Sequence, residues 1–88
     1  MGRLPFIAGN WKMNKTVGEA LDLIRELKAA VSVVKGVEVA VAPPFTALYA
    51  VHKELEGSSI RLAAQNLYWE EKGAFTGEIS PVMIKEVG

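Results

Sequence analysis

The sequence has 88 residues, of which 50% are hydrophobic and 23% charged, a composition typical of a globular rather than a disordered protein. Ten basic and ten acidic side chains give zero net charge, so we expect neither nucleic acid nor a membrane as a partner. The sequence contains no cysteine, which excludes disulfides, thiol catalysis and a cysteine-based zinc site within these residues. No apolar stretch approaches the ~20 residues of a spanning helix, and the apolar run after Arg3 is too short for a secretory signal. We therefore expect a cytoplasmic protein.

The first half of the chain has the pattern strand, helix, strand. An apolar run over residues 4–9 predicts a strand buried on both faces, with Pro5 at its start because proline lacks the amide that a ladder requires. Thr16 and Glu19 have the spacing of a capping box, and apolar residues then recur every three or four positions. This pattern predicts a helix over residues 17–35, ended by Gly36.

The second half repeats the alternation. A strand is predicted over residues 37–42, where Pro43 and Pro44 stop it, followed by a helix over 46–56 and a strand over 60–65. A loop then covers residues 66–78, and Ser80 followed by Pro81 has the arrangement of a helix N-terminus. No linker or low-complexity segment interrupts the series.

The resulting β-α-β-α-β-α order predicts parallel strands joined by right-handed crossovers. A (β/α)₈ TIM barrel of ~250 residues has about 31 residues in each unit, so this chain has the length of roughly three units. We therefore expect an α/β fold in which residues 1–88 form a single incomplete domain, the first three β/α units of a barrel.

The segment of residues 9–14, Gly-Asn-Trp-Lys-Met-Asn, lies where the first strand ends and the first helix is about to begin. Ligands bind at this face in α/β folds. Asn10 can donate and accept hydrogen bonds, and Lys12 offers three donors and a full charge, which suits an anionic, oxygen-rich ligand such as a phosphate ester. The alternative is a solvated turn that carries one lysine.

This segment resembles the one that follows the first strand of triosephosphate isomerases. A second resemblance covers Ala-Gln-Asn-Leu-Tyr at residues 64–68 and Gly-Ala-Phe-Thr-Gly-Glu-Ile-Ser-Pro at 73–81. The resemblance implies a (β/α)₈ barrel that interconverts dihydroxyacetone phosphate and glyceraldehyde 3-phosphate through an enediolate, with no cofactor and no metal. A complete member of that family continues through several more strand–helix units.

The resemblance also implies residue roles. Lys12 would bind the substrate phosphate and stabilise the charge that develops on the enediolate oxygen, and Asn10 would position Lys12 and the substrate. The family's glutamate base and neutral histidine electrophile lie on later strands, beyond Gly88. The only histidine, His52, falls on the apolar side of the second helix and does not match that electrophile. Glu54 and Glu56 are interpreted as belonging to a solvated helix end.

The loop over residues 73–78 is the second specific feature. Gly73 and Gly77 flank a short segment with Phe75 at its centre, and an exposed phenylalanine usually needs a surface to cover it. In the family this loop inserts into a pocket of the other subunit, which implies a homodimer. The implied interface residues are Met13, Gln65, Phe75, Thr76 and Glu78. The alternative is a loop whose phenylalanine packs on its own chain.

Three functions stay open. The first is a triose-phosphate isomerase as part of the complete barrel, in which case the 88 residues alone should be inactive because they lack the base and the electrophile. The second is an interaction module that assembles with itself or with a complementary fragment. The third is another phosphate-binding barrel enzyme, which the match over residues 64–81 disfavours.

Overall fold

The computed structural model describes residues 3–88, so the first two residues of the predicted domain 1–88 lie outside the described part. Three parallel strands form a sheet in which the second strand along the chain lies between the first and the third, with Phe6 opposite Glu38 and Ala40 opposite Arg61. The strands alternate with three helices, which confirms the predicted β-α-β-α-β-α order. The elements are β1 (Phe6–Asn10), α1 (Val17–Val31), β2 (Glu38–Ala42), α2 (Phe45–Glu54), β3 (Arg61–Leu62) and α3 (Pro81–Glu86).

The core lies between one face of β2 and the first two helices. Val41 of β2 packs with Ile24 of α1 and Val51 of α2, and both of these helical side chains are fully buried. Burying such a side chain contributes about 1.5–3 kcal/mol relative to leaving it in water. Residues from the α2–β3 connection complete the cluster. The central strand is therefore the element around which this segment is packed.

The capping box at the start of α1 is confirmed. The Glu19 amide donates to the Thr16 hydroxyl at 3.4 Å, and the Thr16 amide donates to the Glu19 carboxylate at 2.9 Å. The helix ends at Val31, four residues earlier than predicted, because the chain leaves the helix at Ser32. Residues 31–34 read Val-Ser-Val-Val, and β-branched side chains and serine both weaken a helix. Gly36 has the expected positive φ of 75°, but it lies in the following turn.

The prediction that the first strand is buried on both faces is wrong for this segment. Every residue of β1 is exposed, including Phe6 at 58% and Ile7 at 59%. The strand pairs with β2 on one side, and the described residues provide no layer that covers its faces. The strand also runs later than expected, ending at Asn10 rather than Gly9, so that Asn10 pairs with Ala42.

The third strand is shorter than the predicted 60–65. Regular pairing covers Arg61 and Leu62, and the Ala63 amide adds one further bond to the Val41 carbonyl at 2.9 Å. Beyond that point the chain turns away, and the side chain of Gln65 rather than a backbone amide reaches the next carbonyl, that of Ala42. A side chain thus continues the contact between these two segments after the strand ends.

The sequence suggests that Glu54 belongs to a solvated helix end, but in the structure its side chain and its backbone carbonyl contact residues of α1. The Lys28 ammonium lies 3.2 Å from its carboxylate and donates to its backbone carbonyl at 2.7 Å, while Arg25 approaches the same carboxylate at 3.3 Å. The hydrogen bond from Lys28 is the main reason that the pKa of Glu54 is lowered. These contacts join α1 to the end of α2. No helix within residues 3–88 is both long and apolar enough to cross a membrane.

Candidate functional site

The carboxyl ends of the strands bring three separate segments together. Asn10 and Ala42 are the last residues of β1 and β2 and lie opposite each other in the sheet. Gln65 lies three residues beyond the end of β3. The connection between β1 and α1, residues 11–16, is called the first loop here. It leaves the sheet at this edge and carries Lys12.

The backbone of Lys12 is held in an unusual conformation by two side chains. Its φ is 55°, a left-handed value that is uncommon for a residue other than glycine. Its amide donates to Oδ1 of Asn10 at 2.9 Å, and its carbonyl accepts from Nε2 of Gln65 at 2.9 Å. Such a conformation costs about 1–3 kcal/mol and persists where the surrounding structure determines it. Asn10 and Gln65 supply that determination by satisfying both polar groups of the Lys12 peptide.

The carbonyl of Ala42 ties the first loop and Gln65 to the sheet. It accepts from the Trp11 amide at 3.2 Å and from Nε2 of Gln65 at 2.8 Å. Gln65 therefore donates one proton to the end of β2 and the other to the Lys12 carbonyl. Because a carboxamide nitrogen has two donors, this single side chain can link the central strand to the first loop.

The rest of the first loop is fixed by local contacts. The half-buried Trp11 ring packs against the hydrophobic core beneath the loop. The side-chain amide of Asn14 donates to the Trp11 carbonyl at 2.8 Å, across the two residues between them. Lys15 follows with a φ of 80°, the second positive value at a non-glycine residue in this loop.

This arrangement fixes the backbone of the residue that carries a positive charge. Lys12 is exposed at the edge where the strands end, and its backbone is bonded to Asn10 at the end of β1 and to Gln65 beyond the end of β3. An ammonium group carried on a fixed backbone can attract and orient an anionic ligand without the chain having to reorganise. No three His, Cys, Asp or Glu residues within the described range 3–88 are grouped so that they could hold a metal ion.

The connection between β3 and α3, residues 63–80, is called the third loop here. Its base is closed by the Tyr68 amide, which donates to the Ile79 carbonyl at 2.7 Å. The two flanking glycines both have positive φ, 146° at Gly73 and 89° at Gly77. A side chain at Gly73 would strain the backbone at this φ and would also displace the ring of Phe75, so two effects favour glycine there.

Phe75 packs partly on its own chain. Its ring lies 4.5 Å from that of Tyr68 between centroids, yet 42% of the residue stays exposed. Thr76 and Glu78 are exposed on the same loop, and Met13 of the first loop is 95% exposed. A cleft of about 160 Å³ lies beside Phe75, between the third loop and the start of α3. These residues are available for a contact, and their predicted place in a subunit interface stays a prediction.

Other aromatic residues take different positions. Trp11 packs against the core, whereas Trp69 is 76% exposed. His52 lies half-buried on α2, where its ring packs against Gly88 rather than approaching Lys12.

The sequence does not indicate the contacts that two residues make in the site, Gln65 and Asn14. The family resemblance implies an interface role for Gln65 and does not indicate its bonds to Lys12 and Ala42 within its own chain. Asn14 was not assigned a role, although asparagine readily bonds to nearby backbone groups and so stabilises turns. The Gln65 contact joins residues 53 positions apart, so no local pattern could have indicated it.

The family model described as triosephosphate isomerase matches residues 5–88 of the chain. The chain belongs to the triosephosphate isomerase family. Two curated triosephosphate isomerases, from Endomicrobium trichonymphae and Carboxydothermus hydrogenoformans, are 58% and 57% identical to it over 86 residues, 98% of this chain and 34% of each relative. The chain thus spans about a third of the length of these relatives.

A solved structure agrees with the family assignment. The crystal structure of triosephosphate isomerase from Bartonella henselae superimposes with a TM-score of 0.89 and is 42% identical, over 98% of this chain and 35% of that one. The β-α-β-α-β-α segment is therefore the N-terminal portion of a (β/α)₈ TIM barrel, as the element order predicted.

Proposed function

We propose that the full-length protein containing this segment is a triose-phosphate isomerase, which interconverts dihydroxyacetone phosphate and glyceraldehyde 3-phosphate in glycolysis and gluconeogenesis. Lys12 provides the fixed positive charge in this reaction, and Asn10 positions it. The observation that carries the proposal is the backbone of Lys12, which two side chains hold in a left-handed conformation at the edge where the strands end. No cofactor or metal is part of the proposed reaction.

The physical role of Lys12 is electrostatic. Removal of a proton from the substrate carbon places negative charge on the neighbouring oxygen, and a cation already in position stabilises that charge more than it stabilises the neutral ketone or aldehyde. The same ammonium attracts the substrate phosphate before the reaction. Within residues 1–88 we assign roles in the chemistry to Lys12 and Asn10 alone, and the base and the electrophile belong to other parts of the full-length chain. Residues 1–88 alone should therefore show no turnover.

The test compares two lysine variants of the full-length protein. We expect Lys12→Ala to lower kcat/KM for triose phosphate by about 100-fold or more, the effect of losing one preorganised charge in an active site. The matched control is Lys35→Ala, since Lys35 is exposed in the turn that precedes β2, at the opposite edge of the sheet. The control should retain wild-type kinetics. Equal activity of the two variants, or wild-type protein without isomerase turnover, would contradict the proposal.

We also propose that the active form is a cytoplasmic homodimer. Phe75 is 42% exposed although aromatic, and Met13 is 95% exposed, which supports a contact formed by the third loop of one subunit and the first loop of its partner. Thr76, Glu78 and Gln65 would contribute polar contacts at this interface. Removal of this interface would leave Asn10 and Lys12 without the contacts that the third loop of the partner subunit would provide.

The interaction-module alternative is supported by the exposure of β1. This edge strand presents Phe6 and Ile7 to solvent, and an unpaired apolar edge favours association with another strand. We expect residues 1–88 alone to form oligomers or to associate with a second fragment. That fragment would supply the remaining strand–helix units of the family fold, of which residues 1–88 are the proposed first part. Sedimentation of the 88-residue protein with and without that fragment measures this association. A monodisperse monomer of the 88-residue protein in both samples would exclude the interaction-module function.

A further inference from the structure

We propose that Asn14 is a positioning residue for Lys12, which it controls through the carbonyl of Trp11. The inference rests on the proposed function and adds a component to the same site. The inference is based on the hydrogen bond of 2.8 Å from the Asn14 side-chain amide back to the Trp11 carbonyl, which closes a turn around Lys12 and Met13.

The turn is anchored at its beginning. The Trp11 ring packs on the core, and the Trp11 amide donates to the Ala42 carbonyl at the end of β2. The Trp11 carbonyl belongs to the peptide group that carries the Lys12 amide, the amide that donates to Asn10. The bond from Asn14 therefore acts on the same peptide plane whose orientation sets φ of Lys12. Asn10 holds one side of this plane, and Asn14 holds the other.

The loop needs this support because its conformation is intrinsically unfavourable. Lys12 and Lys15 both have positive φ, at 55° and 80°, and no glycine occurs between Asn10 and Gly18 to adopt such values without strain. Gln65 fixes the Lys12 carbonyl. The preceding peptide group, between Trp11 and Lys12, is held by hydrogen bonds to the side chains of Asn10 and Asn14. Without the Asn14 donor, the peptide can rotate toward ordinary φ values, and the Lys12 ammonium moves with it.

The experiment uses three variants of the full-length protein. Asn14→Leu and Asn14→Asp each remove the donor at nearly constant size, and only the second adds charge. Asn14→Gln keeps a carboxamide donor with a longer reach. Four quantities are measured for each: kcat and KM for triose phosphate, the inhibition constant of inorganic phosphate, and the thermal unfolding midpoint.

We expect the Leu and Asp variants to lose about tenfold in kcat/KM, as a displaced catalytic group does, and to bind phosphate more weakly. The Gln variant should recover part of both losses. If the Leu and Asp variants keep kcat/KM and phosphate inhibition within twofold of wild type, or lose only thermal stability, Asn14 does not position Lys12. Equal impairment of the Gln and Leu variants would also contradict the inference.

The outcome for Asn14 is separable from the outcome for the proposed function. Wild-type protein without isomerase turnover would reject the function, whereas direct binding of inorganic phosphate, measured by calorimetry on wild type and the Asn14 variants, would still report the position of the Lys12 ammonium. A turnover defect confined to Asn14→Asp, with Asn14→Leu unaffected, would show an effect of added charge and would reject the positioning role.

Discussion

The first and third loops leave the same edge of the sheet but are stabilised in opposite ways. The first loop, residues 11–16, is short, and side-chain hydrogen bonds from Asn10, Asn14 and Gln65 fix its backbone. The third loop, residues 63–80, relies on a backbone bond at its base and on aromatic packing, and it obtains its bends from glycines. In the first loop two lysines adopt positive φ, whereas in the third loop glycines do.

The difference indicates what each loop is suited to do. The catalytic charge proposed for Lys12 must stay in one place while the substrate changes, so strain held by surrounding hydrogen bonds is acceptable in the first loop. A loop that inserts into a partner needs projection and exposed apolar surface, which glycines and Phe75 provide. We expect four variants of the full-length protein to separate these two roles.

The largest effect should come from Phe75→Asp in the third loop. A symmetric dimer would lose the burial of two phenylalanines at about 1.5–3 kcal/mol each, so we expect the dimer to weaken by roughly 10² to 10⁴-fold. Turnover should fall together with the dimer fraction. Light scattering measures the molar mass of the protein in solution and so distinguishes the dimer from the monomer. The control is Val33→Asp, an exposed apolar residue after α1 that should leave the dimer intact. A stable dimer for Phe75→Asp would reject the role of the third loop.

The second variant, Gln65→Leu, removes the side chain that connects the first loop to β2. Both donors are lost at similar volume, so the Lys12 carbonyl is released and the ammonium shifts. We expect kcat/KM to fall by about 10- to 100-fold, the range found for small displacements of catalytic groups. Steady-state kinetics at saturating and limiting substrate measure the loss, and light scattering should still show a dimer. Wild-type kinetics would mean that Asn10 and Asn14 suffice to hold Lys12.

The third variant, Lys15→Gly, should stabilise the protein slightly. Relief of the positive φ of 80° outweighs the greater chain entropy of glycine, with a net gain of about 0.5–1 kcal/mol in the free energy of unfolding. Lys35→Gly is the matched control, since Lys35 does not have positive φ and should lose stability instead. Urea unfolding measures both. A loss of stability for Lys15→Gly would indicate that the lysine side chain contributes more than its backbone costs.

The smallest effect concerns the capping box that ends the first loop. Hydrogen bonds from the Thr16 amide and hydroxyl lower the pKa of Glu19 below its usual 4.5. A lowered pKa in the folded state means that the stabilisation is present above the unfolded pKa and is lost as pH falls through the folded value. Glu19→Gln should therefore be less stable than wild type at neutral pH and approach it in acid. Urea unfolding as a function of pH measures the difference. If the difference in unfolding free energy between wild type and Glu19→Gln were the same at all pH values, the Glu19 carboxylate would be excluded as the source of that difference.

Local patterns predicted most of the elements because their causes are local. The Thr16–Glu19 spacing gave the start of α1, and Ser80 before Pro81 gave the start of α3, where the Ser80 hydroxyl accepts from the Met83 amide at 3.3 Å. The ends of the elements follow less directly from local patterns, because the C-terminus of α1 depends on small differences in helix propensity among Val, Ser and Lys. The exposure of β1 depends on which strands lie beside it, which an apolar run does not specify.

The sequence by itself determined the order of strands and helices, the family, and the identity of Asn10 and Lys12 as candidates. These follow from periodicity, capping chemistry and short motifs, which act over a few residues. Only the tertiary structure decided how Lys12 is held, because Gln65 reaches it from 53 positions away once the parallel strands are aligned. It likewise decided that Glu54 joins two helices. A hydrogen bond between distant segments depends on the register of the sheet and the direction of each side chain, and both are set by packing rather than by neighbouring residues.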